Sequence, residues 1–259
     1  MTDFIRTERE GAILTIVIDR PDKMNALTLE MYEDIAGLFT GLAHDTTTRA
    51  VVIKGAGGRA FAAGTDISVF RVFGKPEQGL AYEQRMDQIL SLIEQCPVPT
   101  IAAIAGVCTG GGAAIAAVCD LRLATRNLRF GFPIARTLGN CLSAVNLARL
   151  SALIGPARVK DMIFTARLLG GEEALAAGLV GELVDTPEEL DTRAADLARQ
   201  IAGHAPLTLA VTKELMRRNA KAAGIGEDHD LVAKCYTSAD FREGLESFLA
   251  KRPPRWTGR

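Results

Sequence analysis

Two glycine-rich segments carry the most distinctive spacing in the sequence, and each follows a run of β-branched residues. The first, residues 55–66, is GAGGRAFAAGTD, and the second, residues 106–115, is GVCTGGGAAI. The glycines from Gly110 to Gly112 precede an alanine-rich helix pattern, so backbone N–H groups would lie uncovered at a helix start. Such groups can stabilise an anion or a developing oxyanion. Close packing of a helix on a strand requires the same glycines, and the residues alone leave both interpretations open.

Nucleotide and nucleophile chemistry are less well supported by these segments. The first segment opens with a loose GxGxxA pattern, but a dinucleotide site needs its helix to begin within the glycines. Here the best helix caps, Thr65 and Asp66, come several residues later, so a nicotinamide-dependent enzyme is the weakest of the hypotheses. The chain contains no P-loop lysine, GxSxG or HExxH motif.

The composition excludes several classes of partner. Thirty Lys and Arg residues nearly balance 31 Asp and Glu residues, which disfavours nucleic acid and anionic membrane surfaces. No apolar stretch reaches about 18 residues and the N-terminus lacks an apolar signal core, so we expect a cytoplasmic protein without a membrane span. Five cysteines with no CxxC pair or His/Cys ligand spacing favour neither disulfides nor a metal site.

The periodicity predicts alternating strands and helices that would position the glycine-rich loops. Strands are predicted over residues 13–18, 50–54 and 100–104, with helices over 28–43 and 76–95 between them. This alternation predicts an α/β layer structure with strands buried on both faces. Further on, short helices (147–153, 157–164, 172–177) and a strand near 183–184 lead into helices over 188–202, 207–220, 226–235 and 241–249. We therefore expect a core over residues 1–200 and a helical C-terminal region over 201–259, whose apolar faces dock on the core or on another subunit.

The two loops, taken with further motifs, resemble the enoyl-CoA hydratase/isomerase (crotonase) superfamily. The resemblance rests on residues 61–67, Gly106 with the glycine triplet, and residues 119–122. It extends over nearly the whole chain through residues 20–21, 25–27, 178–180, 241–248 and 251–252. It implies an α/β, crotonase-like spiral of ββα units with an all-helical C-terminal region, assembled as a homotrimer or a dimer of trimers. It also implies an acyl-CoA substrate, with coenzyme A as part of the substrate and no separate cofactor.

The resemblance assigns roles to individual residues. The two backbone N–H groups of the family's oxyanion hole correspond to those of Thr65 and Gly111. Lys23 and Lys251 are candidates for phosphate or adenine contacts, although either could equally be a solvated surface lysine. Asp66 is expected to cap the following helix and not to act as a base. The expected substrate-binding positions are Lys23, Asn25, Ala26, Leu27, Ala63, Gly64, Asp66, Ile67, Gly110 and Lys251.

The sequence departs from the family pattern where hydratases carry two catalytic glutamates. Those positions correspond here to Ala114 and Ile134, whose side chains cannot transfer protons. Nearby polar residues that could substitute are Arg136, Asn140, Cys141 and Ser143. We therefore expect little or no hydration of a simple 2-enoyl-CoA. Chemistry that needs only enolate stabilisation, such as decarboxylation of an α-carboxyacyl-CoA, stays open, as does a protein that binds acyl-CoA without turnover.

Overall fold

The computed structural model describes residues 2–222 and 229–257, which form two stacked sheets surrounded by helices. The strands are β1 (Ile5–Glu10), β2 (Ile13–Ile18), β3 (Ala50–Gly55), β4 (Ala60–Ala62), β5 (Thr100–Ile104), β6 (Val107–Thr109), β7 (Leu121–Thr125), β8 (Arg129–Gly131), β9 (Leu169–Gly170) and β10 (Glu182–Val184). The helices are α1 (Leu29–Leu42), α2 (Pro76–Glu94), α3 (Gly111–Val118), α4 (Ile134–Thr137), α5 (Ala144–Ile154), α6 (Pro156–Phe164), α7 (Gly171–Ala176), α8 (Pro187–Ala202), α9 (Pro206–Ala222), α10 (His229–Tyr236) and α11 (Ala239–Leu249).

From β3 to β8, successive strands alternate between the two sheets. The larger sheet has the order β1-β2-β3-β5-β7-β10 and is parallel except for the β1–β2 pair, while the smaller has the order β4-β6-β8-β9. The chain passes from β3 to β4, from β5 to β6 and from β7 to β8, with helices returning it to the larger sheet after the first two pairs. This arrangement is the predicted spiral of ββα units. It brings the ends of β4 and β6, and therefore both glycine-rich loops, side by side.

The central strands β2, β3 and β5 of the larger sheet are buried on both faces, as their continuous apolar runs predict. In β3, Val51 and Ile53 join the main core, whereas Ala50 and Val52 face a second core that α8 covers. Because residues along a strand alternate between faces, an unbroken apolar run fits this doubly covered position. Strand β1, in which only Ile5 is buried, strand β7 and the two- or three-residue strands of the smaller sheet were not predicted.

The helices agree with the predicted segments to within a few residues. Helix α1 begins after Thr28, whose side chain accepts a hydrogen bond from the Met31 N–H at 3.3 Å and so caps the helix as expected. Ser238 caps α11 in the same way through the Phe241 N–H. The helix predicted from residue 226 begins outside the described residues, and α10 is described from His229. Of the helices described, none combines the length and the apolar character that crossing a bilayer demands.

The C-terminal helices divide between two locations. Helix α10 packs on α2 and helix α11 on α4, and a third core built around Phe70, Tyr236 and Phe241 joins them. Helix α9 instead leaves apolar side chains exposed, and among them Leu207 is 77% and Met216 68% exposed. The predicted helical C-terminal region therefore closes over the core at one end and presents an uncovered apolar face at the other.

Candidate functional site

A cavity of about 630 Å³ lies where the two glycine-rich loops meet α1, α2 and the end of α11. We call it the main cavity. It contains most of the positions that the sequence singled out, so the fold brings together residues up to about 110 positions apart. The predicted residues that line it are Lys23, Ala26, Ala63, Gly64, Thr65, Asp66, Ile67, Gly110, Gly111, Ala114, Ile134 and Asn140.

The two loops touch at their glycines. Gly64 and Gly110 have φ angles of +101° and +51°, a backbone region in which a side chain is strained. A Cβ placed on Gly110 would lie 3.3 Å from the Cα of Gly64. The first loop is also tied to the N-terminal segment, because the Leu27 N–H donates to the Gly64 carbonyl at 2.8 Å. The glycines therefore fix how closely the loops approach.

Two backbone N–H groups at this junction have no hydrogen-bond acceptor among the described residues. Within the described residues, neither the Thr65 N–H nor the Gly111 N–H donates a hydrogen bond. The N–H groups next to them are used, since that of Asp66 donates to the Leu27 carbonyl at 2.8 Å and that of Gly110 to the Gly131 carbonyl at 3.0 Å. Gly111 is also the first residue of α3, where the helix dipole favours negative charge.

A chain of three hydroxyl groups runs beside these N–H groups. The Tyr32 hydroxyl lies 2.9 Å from Oγ1 of Thr65, which lies 2.8 Å from the Tyr82 hydroxyl. Burial raises the pKa of both phenols above the usual tyrosine value, so both stay protonated. The sequence did not identify these two tyrosines as residues of the site. Tyr32, for example, fits the apolar face of α1. The available signal was a tyrosine on that face close to the cap of the helix.

The apolar substitutions inferred from the sequence line the main cavity. Ala114 lies on α3 and Ile134 begins α4, and both are partly buried. Among the described lining residues, the carboxylates are those of Asp66 and Glu83. Burial raises the pKa of Asp66, but hydrogen bonds from Arg20 (2.8 Å) and Ser68 (3.1 Å) outweigh it, so the pKa lies below the usual range. Asp66 caps the following turn, as expected.

Three predicted substrate-binding residues lie off the main cavity. Asn25 is fully buried, and its side chain holds the N-terminal loop through Arg20 N–H (2.9 Å) and the carbonyls of Ala56 (3.0 Å) and Ala60 (2.7 Å). Leu27 is likewise buried in the main core. Lys251 is exposed just beyond α11, whose residues Phe248 and Leu249 do line the cavity.

Of the polar residues considered as substitutes for the glutamates, one lines the main cavity. Asn140 does so, and its Nδ2 donates to the Tyr236 hydroxyl at 3.2 Å. Arg136 is exposed, and Ser143 caps α5 while donating to Asp87 at 3.0 Å. Cys141 packs in the third core, where its hydrogen bond with Cys235 lowers the pKa of the latter thiol to about 7.

Known proteins share both this sequence pattern and this fold. The sequence model of the enoyl-CoA hydratase/isomerase family matches residues 8–259. A short-chain-enoyl-CoA hydratase of Clostridium acetobutylicum is 31% identical over 95% of this chain and 94% of its own length. A crystal structure of an enoyl-CoA hydratase/carnithine racemase from Magnetospirillum magneticum aligns with a TM-score of 0.81 at 35% identity, covering 100% of this chain and 97% of that one. A methylmalonyl-CoA decarboxylase in complex with 2-nitronate-propionyl-CoA aligns with a TM-score of 0.90 at 27% identity over the full length of both chains.

Proposed function

Because the chain belongs to the enoyl-CoA hydratase/isomerase family, we propose that it binds an acyl-CoA thioester in the main cavity and stabilises its enolate form. The thioester oxygen would accept hydrogen bonds from the backbone N–H groups of Thr65 and Gly111. The observation that carries this proposal is that both residues line one cavity, while no hydrogen bond within the described part of the chain uses either N–H group.

The energetics favour this use of the two N–H groups. When a proton or a carboxyl group leaves the α-carbon, negative charge develops on the thioester oxygen. Donors fixed in a site that excludes water stabilise such charge strongly, and the loss of one donor costs about 3 kcal/mol. Gly111 begins α3, so the helix dipole adds to the attraction. The buried, protonated phenols of Tyr32 and Tyr82 introduce no opposing charge.

The coenzyme A portion would extend from the main cavity towards solvent. Lys23 lines the cavity and is exposed, which suits an ammonium group that contacts a phosphate. Lys251 follows the cavity-lining Leu249 by two residues and is a second candidate, although it does not line the cavity itself. The thioester brings its own coenzyme A, so this chemistry needs no separate cofactor.

Simple hydration is the reaction that the site favours least. A two-carboxylate hydration needs proton carriers where Ala114 and Ile134 stand. Decarboxylation of an α-carboxyacyl-CoA is the second candidate, because the electron pair of the breaking C–C bond forms the enolate without a base. The TM-score of 0.90 with a methylmalonyl-CoA decarboxylase favours this candidate.

A substrate screen tests the proposal. The purified protein is incubated with crotonyl-CoA, 3-butenoyl-CoA and methylmalonyl-CoA, with products followed by mass spectrometry and binding by calorimetry. We expect turnover of 3-butenoyl-CoA or methylmalonyl-CoA and little hydration of crotonyl-CoA. Hydration at the rate of a two-glutamate hydratase would contradict the inference from Ala114 and Ile134. Binding without turnover would identify an acyl-CoA-binding protein, and failure to bind any thioester would refute the proposal.

We also propose that the chain assembles as a homotrimer or a dimer of trimers. The exposed apolar face of α9 supports this, because an uncovered stripe of large side chains on a helix is typical of an association surface. The stripe consists of Leu207, Val211, Leu215 and Met216.

A further inference from the structure

Helix α2 carries a carboxylate on the face that lines the main cavity. Glu83 is 7% exposed and lies three and seven residues before Met86 and Leu90, so the three share one helix face. Burying a carboxylate among apolar side chains is unfavourable unless the group is hydrogen-bonded. The fold keeps this group facing the cavity in which Ala114 and Ile134 provide no proton carrier.

A chain of two hydrogen bonds from other elements ends at the Glu83 carboxylate. The Tyr236 hydroxyl, on α10, donates to Oε1 of Glu83 at 2.5 Å, and Asn140 Nδ2 donates to the same hydroxyl at 3.2 Å. Tyr236 is buried, which raises the pKa of its phenol and keeps it a donor. Asn140 also lines the main cavity, and its Oδ1 is buried without a hydrogen-bond partner in the described part of the chain.

Glu83 also borders a second cavity of about 620 Å³ on the other side of α2. This second cavity is lined by polar groups that include Gln84, Asp87, Ser143 and His229. Among the described residues, Glu83 is the only one that lines both cavities. A carboxylate in this position can exchange a proton with water on one side and with a bound acyl group on the other.

We propose that Glu83 is the acid–base residue of the main cavity, positioned by Tyr236. This assignment rests on the proposed function, since it supplies the proton carrier that enolate chemistry requires. With a 3-enoyl thioester, an Oε atom of Glu83 takes a proton from the α-carbon. The C–H electron pair then forms the dienolate, whose charge lies on the thioester oxygen. Return of the proton to the γ-carbon gives the 2-enoyl thioester, and return to the α-carbon gives exchange. Either route restores the Glu83 carboxylate.

Deuterium uptake tests the assignment directly. Wild-type protein and the Glu83→Gln variant are incubated with 3-butenoyl-CoA in D2O, and deuterium in substrate and product is followed by NMR. We expect the variant to lose about 100-fold or more in the rate of uptake, since a positioned acid–base group contributes about 10²–10⁴. Its calorimetric affinity for 3-butenoyl-CoA should stay within about threefold, because Gln keeps the shape of the side chain. The matched control is Glu77→Gln, an exposed glutamate in the first turn of the same helix, which should leave uptake unchanged.

Tyr236→Phe provides the second variant, because it leaves the carboxylate in place. We expect a smaller loss of uptake, about tenfold, and no further loss when it is combined with Glu83→Gln, as two residues acting as one unit are not additive. If Glu83→Gln does not fold, as judged by thermal unfolding, an unchanged rate in Tyr236→Phe overturns the assignment.

The outcomes separate this inference from the proposed function. Uptake in a folded Glu83→Gln variant within about threefold of wild type would overturn the role of Glu83 and leave the oxyanion hole standing. Wild-type protein that binds 3-butenoyl-CoA but incorporates no deuterium would overturn the role of Glu83 and leave decarboxylation of methylmalonyl-CoA as the test of the enolate chemistry. A loss confined to Glu83→Gln and Tyr236→Phe supports the assignment.

Discussion

Gly111 lies so close to the Tyr32 hydroxyl that no side chain fits at position 111. A Cβ placed on Gly111 would lie 1.8 Å from the Tyr32 hydroxyl and 3.1 Å from Oγ1 of Thr65. Tyr32 is buried and hydrogen-bonded, so it could not move without disturbing Thr65. The absence of a side chain at Gly111 therefore determines the shape of the proposed oxyanion hole.

We expect Gly111→Ala to lower turnover of the best acyl-CoA substrate by about 10²–10³, the usual cost of disrupting one donor of an oxyanion hole. The measurement is kcat/KM together with calorimetric binding. The control is Gly37→Ala on the exposed side of α1, where an added Cβ meets no atom within 4 Å. Equal turnover in the two variants would contradict the assignment of Gly111.

Ala114 and Ile134 lead to a gain-of-function prediction. We expect Ala114→Glu combined with Ile134→Glu to hydrate crotonyl-CoA faster than wild type, because each substitution adds a carboxylate to the wall of the main cavity. Formation of 3-hydroxybutyryl-CoA is the measurement, and Ala114→Gln with Ile134→Gln is the control of similar volume. Thioester binding without any gain in hydration would indicate that missing carboxylates are not what limits this reaction.

The loop between β2 and α1 is held by one buried amide. Because Asn25 is fully buried and makes three hydrogen bonds, Asn25→Ala leaves buried polar groups unpaired. Asn25 also has φ +57°, which alanine adopts less readily. We expect a loss of about 2–4 kcal/mol in the free energy of unfolding, measured with urea. Asp22→Ala, an exposed change in the same loop, should alter stability by about 0.5 kcal/mol or less.

Asp66 caps the turn after the first glycine-rich loop, and its contribution to the free energy of unfolding should decrease at acidic pH. Hydrogen bonds from Arg20 and Ser68 lower the pKa of Asp66 in the folded protein, so folding favours its ionised form. That contribution is present above the unfolded-state pKa, about 3.9, and is lost as the pH falls through the folded-state pKa. We expect the stability advantage of wild type over Asp66→Asn, measured by urea unfolding, to shrink between pH 6 and about pH 3. An advantage that is constant with pH would show that the ionisation of Asp66 contributes nothing.

Assembly is the property of the whole molecule that the surface of α9 predicts. We expect wild-type protein to have the mass of a trimer or hexamer by light scattering. We expect Leu215→Glu to lower that mass, because a charge within the exposed apolar stripe opposes its burial. Lys160→Glu, an exposed change on α6, is the control and should leave the mass unchanged. A monomeric wild-type protein would contradict the proposed assembly.

Local patterns in the sequence determined much of the architecture. Continuous apolar runs indicated the doubly buried strands β2, β3 and β5, and the cap at Thr28 marked the start of α1. These signals are readable because burial and capping act over neighbouring residues. The exposed face of β1 and the three-residue strands gave no comparable signal, since their pairing depends on partners elsewhere in the chain.

For the candidate site too, some features follow from the sequence and others from the tertiary structure alone. The sequence by itself determined the family, the two glycine-rich loops, and the apolar residues at Ala114 and Ile134. Only the tertiary structure placed the hydroxyls of Tyr32 and Tyr82 beside Thr65 and joined Glu83 to Tyr236, 153 positions away. Tyr32 on α1, and Tyr82 and Glu83 on α2, do not stand out from the other residues of these helices in the sequence. Their chemistry depends on distances between elements, which packing sets and which no spacing along the chain records.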